Sequence, residues 1–159
     1  MLMFGPYPAS GAFKQHYAIC EACGEVVYFR MSVDITYAEG PSTRGFGLLV
    51  RLKDDYMLTF EITPWQDFDF WRYDFALDEW TWVNGLWSGS IRPGRATNNI
   101  EVEVRPSGLG RCDIVLRANG KTPLIIFNQP AEAGNVGLTL YGHATGAYFD
   151  NFEFEEYEP

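Results

Sequence analysis

The chain has 159 residues, with 12 Lys and Arg against 21 Asp and Glu, a formal net charge of −9. So acidic a chain lacks the clustered basic residues that bind nucleic acid; its 47% hydrophobic content excludes disorder, and no apolar run reaches the roughly 18 residues of a membrane-spanning helix. Aromatics make up 16% of the residues, and either a core or a binding surface has to account for them.

The opening residues, Met1 to Pro8, do not read as a signal peptide. A basic n-region is lacking, and Gly5, Pro6 and Pro8 cut the apolar stretch. An extracellular place is therefore expected only for a domain of a larger exported protein. Cys20 and Cys23 form a C-x-x-C, with His16 upstream and a third cysteine at Cys112. The set is one ligand short of a zinc site unless the fold supplies His143. Unpaired or structural thiols are preferred; a disulfide of undetermined pairing, or a metal at Cys20 and Cys23, remains open.

From Val27 onward a period of two dominates. Val27, Phe29, Met31, Val33, Ile35 and Tyr37 alternate with polar residues, as in a half-buried strand. Glu39-Gly40-Pro41-Ser42 breaks it. Phe46, Leu48, Val50 and Leu52, a turn at Asp54-Asp55, then Tyr56, Leu58, Phe60 and Ile62 predict a hairpin over 45–63. Ile100, Val102 and Val104 mark another strand, with Glu101 and Glu103 on a solvated face. Cys112 to Ala118 and Leu124 to Phe127 flank Asn119-Gly120, whose turn positions favour φ > 0. Val136, Leu138 and Leu140 come next. Tyr148 to Phe154 closes the series, with Phe152 and Phe154 expected in the core and a bulge near Asp150. No 11-residue stretch holds a helical period. About nine strands predict an all-β, two-sheet antiparallel sandwich. Residues 1–24 are expected as an irregular N-terminal segment with a first edge strand, and 25–159 as the sandwich of a single domain.

The ordered set of motifs resembles the concanavalin A-like, laminin-G-like jelly-roll class. It is similar in particular to bacterial domains of unknown function related to 3-keto-disaccharide hydrolases. The resemblance runs over roughly residues 25–156. It rests on Tyr28-Phe29-Arg30-Met31-Ser32-Val33-Asp34, the "GhGhhhR" strand Gly45-Phe46-Gly47-Leu48-Leu49-Val50-Arg51, and Asp54 to Ile62. Asn98 to Val104, the "NG" hairpin Asp113 to Gly120, Gly134-Asn135-Val136-Gly137-Leu138 and the closing Phe149-Asp150-Asn151-Phe152 complete it. It implies a concanavalin-like jelly-roll β-sandwich, a fold that hosts lectins, adhesion modules and hydrolases. It also implies that aromatics such as Trp71, Trp80 and Trp87 pack between sheet and loop. One departure is that only Phe4 to Phe13, rich in Gly and Pro, is left for the usual first strand.

All five tryptophans fall within residues 65–87, interleaved with Asp, Arg and Asn. Sugar C–H faces stack on aromatic rings and hydroxyls pair with carboxylates and amides, so this composition suits a glycan. The expected platform is Trp65, Trp71, Tyr73, Trp80 and Trp82, with Asp69, Arg72 and Asn84 as polar partners. Trp65 and Trp82 are expected to be the most exposed, Trp82 from a loop over 79–85.

No catalytic residue is assigned. The E-x-D-x-x-E of glycosidases on this fold is lacking. Two i, i+2 acidic pairs, Asp67/Asp69 and Glu101/Glu103, come nearest to it. There is no G-x-S-x-G, and His143 reads as a loop residue. No cofactor is expected, except that a structural Ca²⁺ would have Asp150 and Asn151, or Asp54 and Asp55, as weak candidates. The leading reading is a non-catalytic carbohydrate-recognition module. The alternatives are a structural or protein-interaction domain and a sugar-active hydrolase. The expected partner is accordingly a glycan or another protein chain, with no nucleic acid and no membrane.

Overall fold

The computed structural model describes residues 1–4, 15–40, 45–142 and 145–158. Within them lie thirteen strands and one short 3₁₀ turn, Glu21–Cys23. The strands are β1 Leu2–Phe4, β2 Gln15–Ile19, β3 Glu25–Val26, β4 Phe29–Glu39, β5 Phe46–Leu52, β6 Tyr56–Ile62 and β7 Asp67–Asp74. The remainder are β8 Glu79–Trp87, β9 Asn98–Gly108, β10 Arg111–Ala118, β11 Lys121–Pro130, β12 Gly134–Tyr141 and β13 Gly146–Glu156. That exceeds the nine expected. The extra ones include two short edge pieces, β1 and β3, and the β7–β8 pair, where aromatics occupy both faces and hide the alternation. No helix is long and apolar enough to cross a membrane among the described residues.

The strands form two antiparallel sheets. The first runs β1-β13-β4-β9-β10-β11, the second β2-β12-β5-β6-β7-β8, with β3 beside β12. This is a jelly-roll β-sandwich. Of the first 24 residues, β1 and β2 each take the edge of one sheet. The sequence candidate over Phe4 to Phe13 lies, beyond Phe4, outside the described residues, as does His143.

The core fills the space between the sheets. Phe29, Met31, Val33 and Ile35 of β4 and Ile100, Val102 and Val104 of β9 face Phe46, Leu48, Phe60, Ile62, Phe68 and Phe70 of the second sheet. Each such side chain contributes roughly 1.5–3 kcal/mol of burial free energy. Local signals set the register. Asn119 and Gly120 both take positive φ, 50° and 76°, in the β10–β11 turn, as the Asn-Gly pair predicts. In β13 the pairing with β4 slips between Asp150 and Glu153, with Asn151 at φ 50°, which is the expected bulge. One consequence was not expected. Beyond the slip Phe152 turns outward and is exposed, while Phe154 packs on Phe29 at 6.0 Å between ring centroids.

Two further expectations are corrected. Cys20 and Cys23 form a disulfide, so neither free thiols nor a metal describes them; Cys112 is free and buried. Glu101 and Glu103 are not merely solvated. Glu101 is buried and takes Arg30 and Arg117, each at 2.6 Å, and Glu103 takes Arg117 at 2.7 Å. Asp150 accepts the backbone N–H of Asn151, and the Asn151 amide donates to Asp34 at 2.8 Å.

Candidate functional site: the outer face of the second sheet

Strand pairing places one row of residues straight across the second sheet, on the face turned away from the core. Tyr17 pairs with Thr139, Thr139 with Gly47, Gly47 with Glu61, Glu61 with Asp69 and Asp69 with Gly85. Two carboxylates therefore stand side by side, flanked by glycine on both sides. Directly opposed residues bring their Cβ atoms within about 5 Å. The adjoining row carries Thr59, Trp71 and Trp82, and the next Met57, Tyr73 and Trp80.

The glycines make room for the acids. A Cβ on Gly45 would lie 2.3 Å from Glu61 Oε2, and one on Gly85 would lie 2.3 Å from Asp69 Oδ1. Between them opens a cavity of about 210 Å³. Glu61 and Asp69 line it with Gln15 and Thr63, and its apolar walls are Trp71, Trp80 and Tyr141. The rings brace one another. Trp80 meets Trp71 edge-on at 6.3 Å and Tyr141 edge-on at 5.9 Å, and rests on Tyr73 at 4.9 Å. Tyr73 belongs to a small second apolar cluster with Leu49 and Met57 under this face.

Burial governs the chemistry of the acids. Glu61 is 6% exposed. Removal from water pushes its pKa up to about 7; the Gln15 amide and the Thr59 hydroxyl oppose the rise, and Asp69 adds to it. Gln15 Nε2 donates to Glu61 Oε1 at 2.8 Å and also contacts the Thr139 hydroxyl. Asp69 is likewise raised, first by burial, with the Trp82 hydrogen bond opposing and Asp67 adding. The Trp82 indole N–H donates to Asp69 Oδ1 at 2.9 Å.

Of the residues named from the sequence, Asp69, Trp71 and Trp80 line the cavity, and Trp82 stands at its rim, 52% exposed. Trp65 is 63% exposed in the turn between β6 and β7. Trp82 lies within strand β8, not in a loop. Trp87 is 61% exposed, so it does not pack between sheet and loop. Tyr73 is 5% exposed and supports Trp80 instead of presenting a stacking ring. Two of the polar partners are not brought to this face. Arg72 pairs with Leu58 and Asn84 with Phe70, both on the opposite face. The Arg72 guanidinium lies 3.9 Å above the centre of the Tyr56 ring. Sequence reasoning missed Gln15, Glu61 and Tyr141. The one local signal was Gly45-Phe46-Gly47, which leaves the outer face of β5 without side chains beside Glu61. Among the described residues no group of three or more His, Cys, Asp or Glu is placed to hold a metal.

No family model and no curated protein matches the sequence. Solved structures do resemble the fold. The carbohydrate binding module CBM66 from Bacillus subtilis superposes with a TM-score of 0.70 at 12% identity, over 92% of this chain and 84% of that one. Sheep galectin-11, in a complex with glycerol, gives 0.57 at 9% identity, over 92% and 100%. The alginate lyase vAL-1 from a Chlorella virus gives 0.52 at 10%, over 82% and 72%. The likeness is one of fold. It supports the concanavalin-like resemblance at that level, and function has to be argued from the site.

Proposed function

We propose that this protein is a carbohydrate-binding module and that its binding face is the outer face of the second sheet. The observation that carries the reading is the cavity itself. Three braced rings, Trp71, Trp80 and Tyr141, surround a floor of carboxyl, amide and hydroxyl groups, with Trp82 exposed at the rim. Rings supply flat apolar contact for sugar C–H groups, and the polar floor supplies hydrogen-bond partners for hydroxyls. The rings hold one another in place before a ligand arrives, which lowers the ordering cost of binding. The carbohydrate binding module among the solved structures shares the fold and agrees with this reading.

Affinity electrophoresis against a panel of soluble polysaccharides tests it. Retardation by at least one glycan is expected, with loss in Trp71→Ala and in Tyr141→Ala and no change in Arg72→Ala, whose side chain lies on the opposite face. Equal retardation of the wild type and both cavity variants would sink the assignment.

A second reading, a protein-interaction domain, has one observation in its favour. Strand β8 is the open edge of its sheet and carries exposed Trp82, Val83, Leu86 and Trp87. Natural proteins rarely leave such an edge bare. A monomer at high concentration, with no partner competing for the β8 edge, counts against this reading.

A further inference from the structure

Among the described residues the charge of the cavity is one-sided. Its lining holds two carboxyl groups, Glu61 and Asp69, and no Arg, Lys or His among the described residues. Glu61 has no basic partner in any hydrogen bond or ion pair described. Gln15 is 2% exposed, lines the same cavity, and its Oε1 has no hydrogen-bond partner among the described residues. An orphaned buried acceptor beside two acids requires a donor, and the most favourable donor is a cation. The three walls are aromatic, and aromatic faces attract cations within about 6 Å of their centres. A neutral hydroxyl would satisfy Gln15 but bring no countercharge to Asp69, or to Glu61 once it ionises. An ammonium group answers all three features: the acids, the acceptor and the rings.

We propose that the cavity takes the ammonium group of an amino sugar, so that the ligand class is a glycan carrying free, non-acetylated amines. This rests on the carbohydrate-binding reading and narrows it. An N-acetyl group in place of the ammonium brings no charge and adds bulk against Trp71 and Trp80. The net charge of −9 favours the approach of a polycationic glycan at low salt.

Binding of a cation next to Glu61 has a proton signature. Among the described residues, the titratable groups facing Glu61 are Asp69, with Asp67 beyond it on β7, and Tyr141 on β12; β5 and the residue before it present Gly47 and Gly45, and β2 presents Gln15. With a pKa of about 7, the Glu61 carboxyl is protonated at pH 5.5. A bound ammonium favours the ionised form, so that proton is expelled.

Isothermal titration calorimetry at pH 5.5, where the sugar amines are already charged, in two buffers of different ionisation enthalpy, tests this with four probes. These are a glucosamine tetrasaccharide, its fully N-acetylated form, a neutral glucose tetrasaccharide and ethylammonium. The expected result is binding of the glucosamine oligomer at least roughly tenfold tighter than either uncharged oligomer, with net release of protons on binding. Glu61→Gln should abolish the release and weaken binding, and the wild-type proton count stands even if that variant folds poorly. Equal binding of the uncharged oligomers, or binding without proton release, would overturn the ammonium assignment and leave the carbohydrate reading intact. Ethylammonium binding as tightly as the glucosamine oligomer would overturn the glycan part. If no saccharide binds here and none retards the chain in the polysaccharide panel, both readings fall.

Discussion

Glu61 and Asp69 sit directly opposite each other on β6 and β7, and burial raises the pKa of both. The relationship has a consequence for stability. The folded state holds a proton on Glu61 up to about pH 7, whereas the unfolded chain releases it near the usual value of 4.5. Between those two pH values the native state binds more protons than the unfolded one, so stability falls as pH rises. The loss is absent below the unfolded pKa and complete above the folded one. Its size is at most about 3–4 kcal/mol. Urea denaturation from pH 4 to pH 8 should show this decline, and Glu61→Gln should flatten it. A wild-type profile that rises through the window and is unchanged by the variant would contradict the burial of an uncompensated carboxyl.

Gly85 tests whether the glycine flank is needed. A Cβ there would fall 2.3 Å from Asp69 Oδ1 and 3.0 Å from the Trp82 indole nitrogen. Gly85→Ala should displace the carboxylate and break the Trp82–Asp69 hydrogen bond, costing about 1–3 kcal/mol. Gly89→Ala, whose Cβ meets only the Trp87 ring at 3.6 Å, should change stability by less than about 0.5 kcal/mol. Thermal unfolding of the two variants compares them. Equal effects would mean that the 85 position has room to relax.

Much of the sandwich was legible in the sequence because one face of each strand is apolar and the other polar. β4, the β5–β6 hairpin, β9, the Asn119-Gly120 turn and the slip in β13 all follow from local alternation or turn chemistry. β7 resists that logic. It carries aromatics on both faces, Phe68 and Phe70 inward and Trp71 and Tyr73 outward, so no apolar–polar alternation marks which side faces the core. The sequence therefore groups Arg72 and Asn84 with the tryptophans, while the pairing puts them on the face opposite Trp71. The cavity floor was hidden for a different reason. Gln15 and Glu61 are 46 positions apart and meet across β12 and β5, where Gly45 and Gly47 put no side chain in the way. Composition and period carry no record of that sheet order.

The Cys20–Cys23 disulfide closes a short loop between β2 and β3, which both pair with β12. A loop of that length constrains the unfolded chain by only about 2 kcal/mol. Reduction should lower the unfolding midpoint measurably without abolishing the fold. Thiol labelling of the native reduced protein should modify Cys20 and Cys23 and spare Cys112, which is buried with its pKa raised mainly by that burial. Loss of all cooperative unfolding on reduction would give the bridge a larger part than loop closure explains.

Arg51 is the test of the opposite edge of the sandwich. It is 2% exposed, and its guanidinium donates to the Tyr56 hydroxyl at 3.2 Å and to the Pro130 carbonyl at 3.1 Å. Tyr56 in turn donates to Glu132 at 2.8 Å, and Lys53 reaches the same carboxylate at 2.9 Å. The guanidinium thus ties β5 and β6 in one sheet to the end of β11 in the other. Arg51→Ala leaves the Pro130 carbonyl without this donor, opens a cavity and removes the link between the sheets. A loss of about 2–4 kcal/mol is expected, with a smaller loss for Arg51→Lys, which keeps one charge but not the fork. Glycan retardation should persist in both folded variants, because Arg51 does not line the cavity around Glu61 and Asp69. A stability change below about 0.5 kcal/mol for Arg51→Ala would show that water replaces the guanidinium and that the two sheets need no polar tie at this edge.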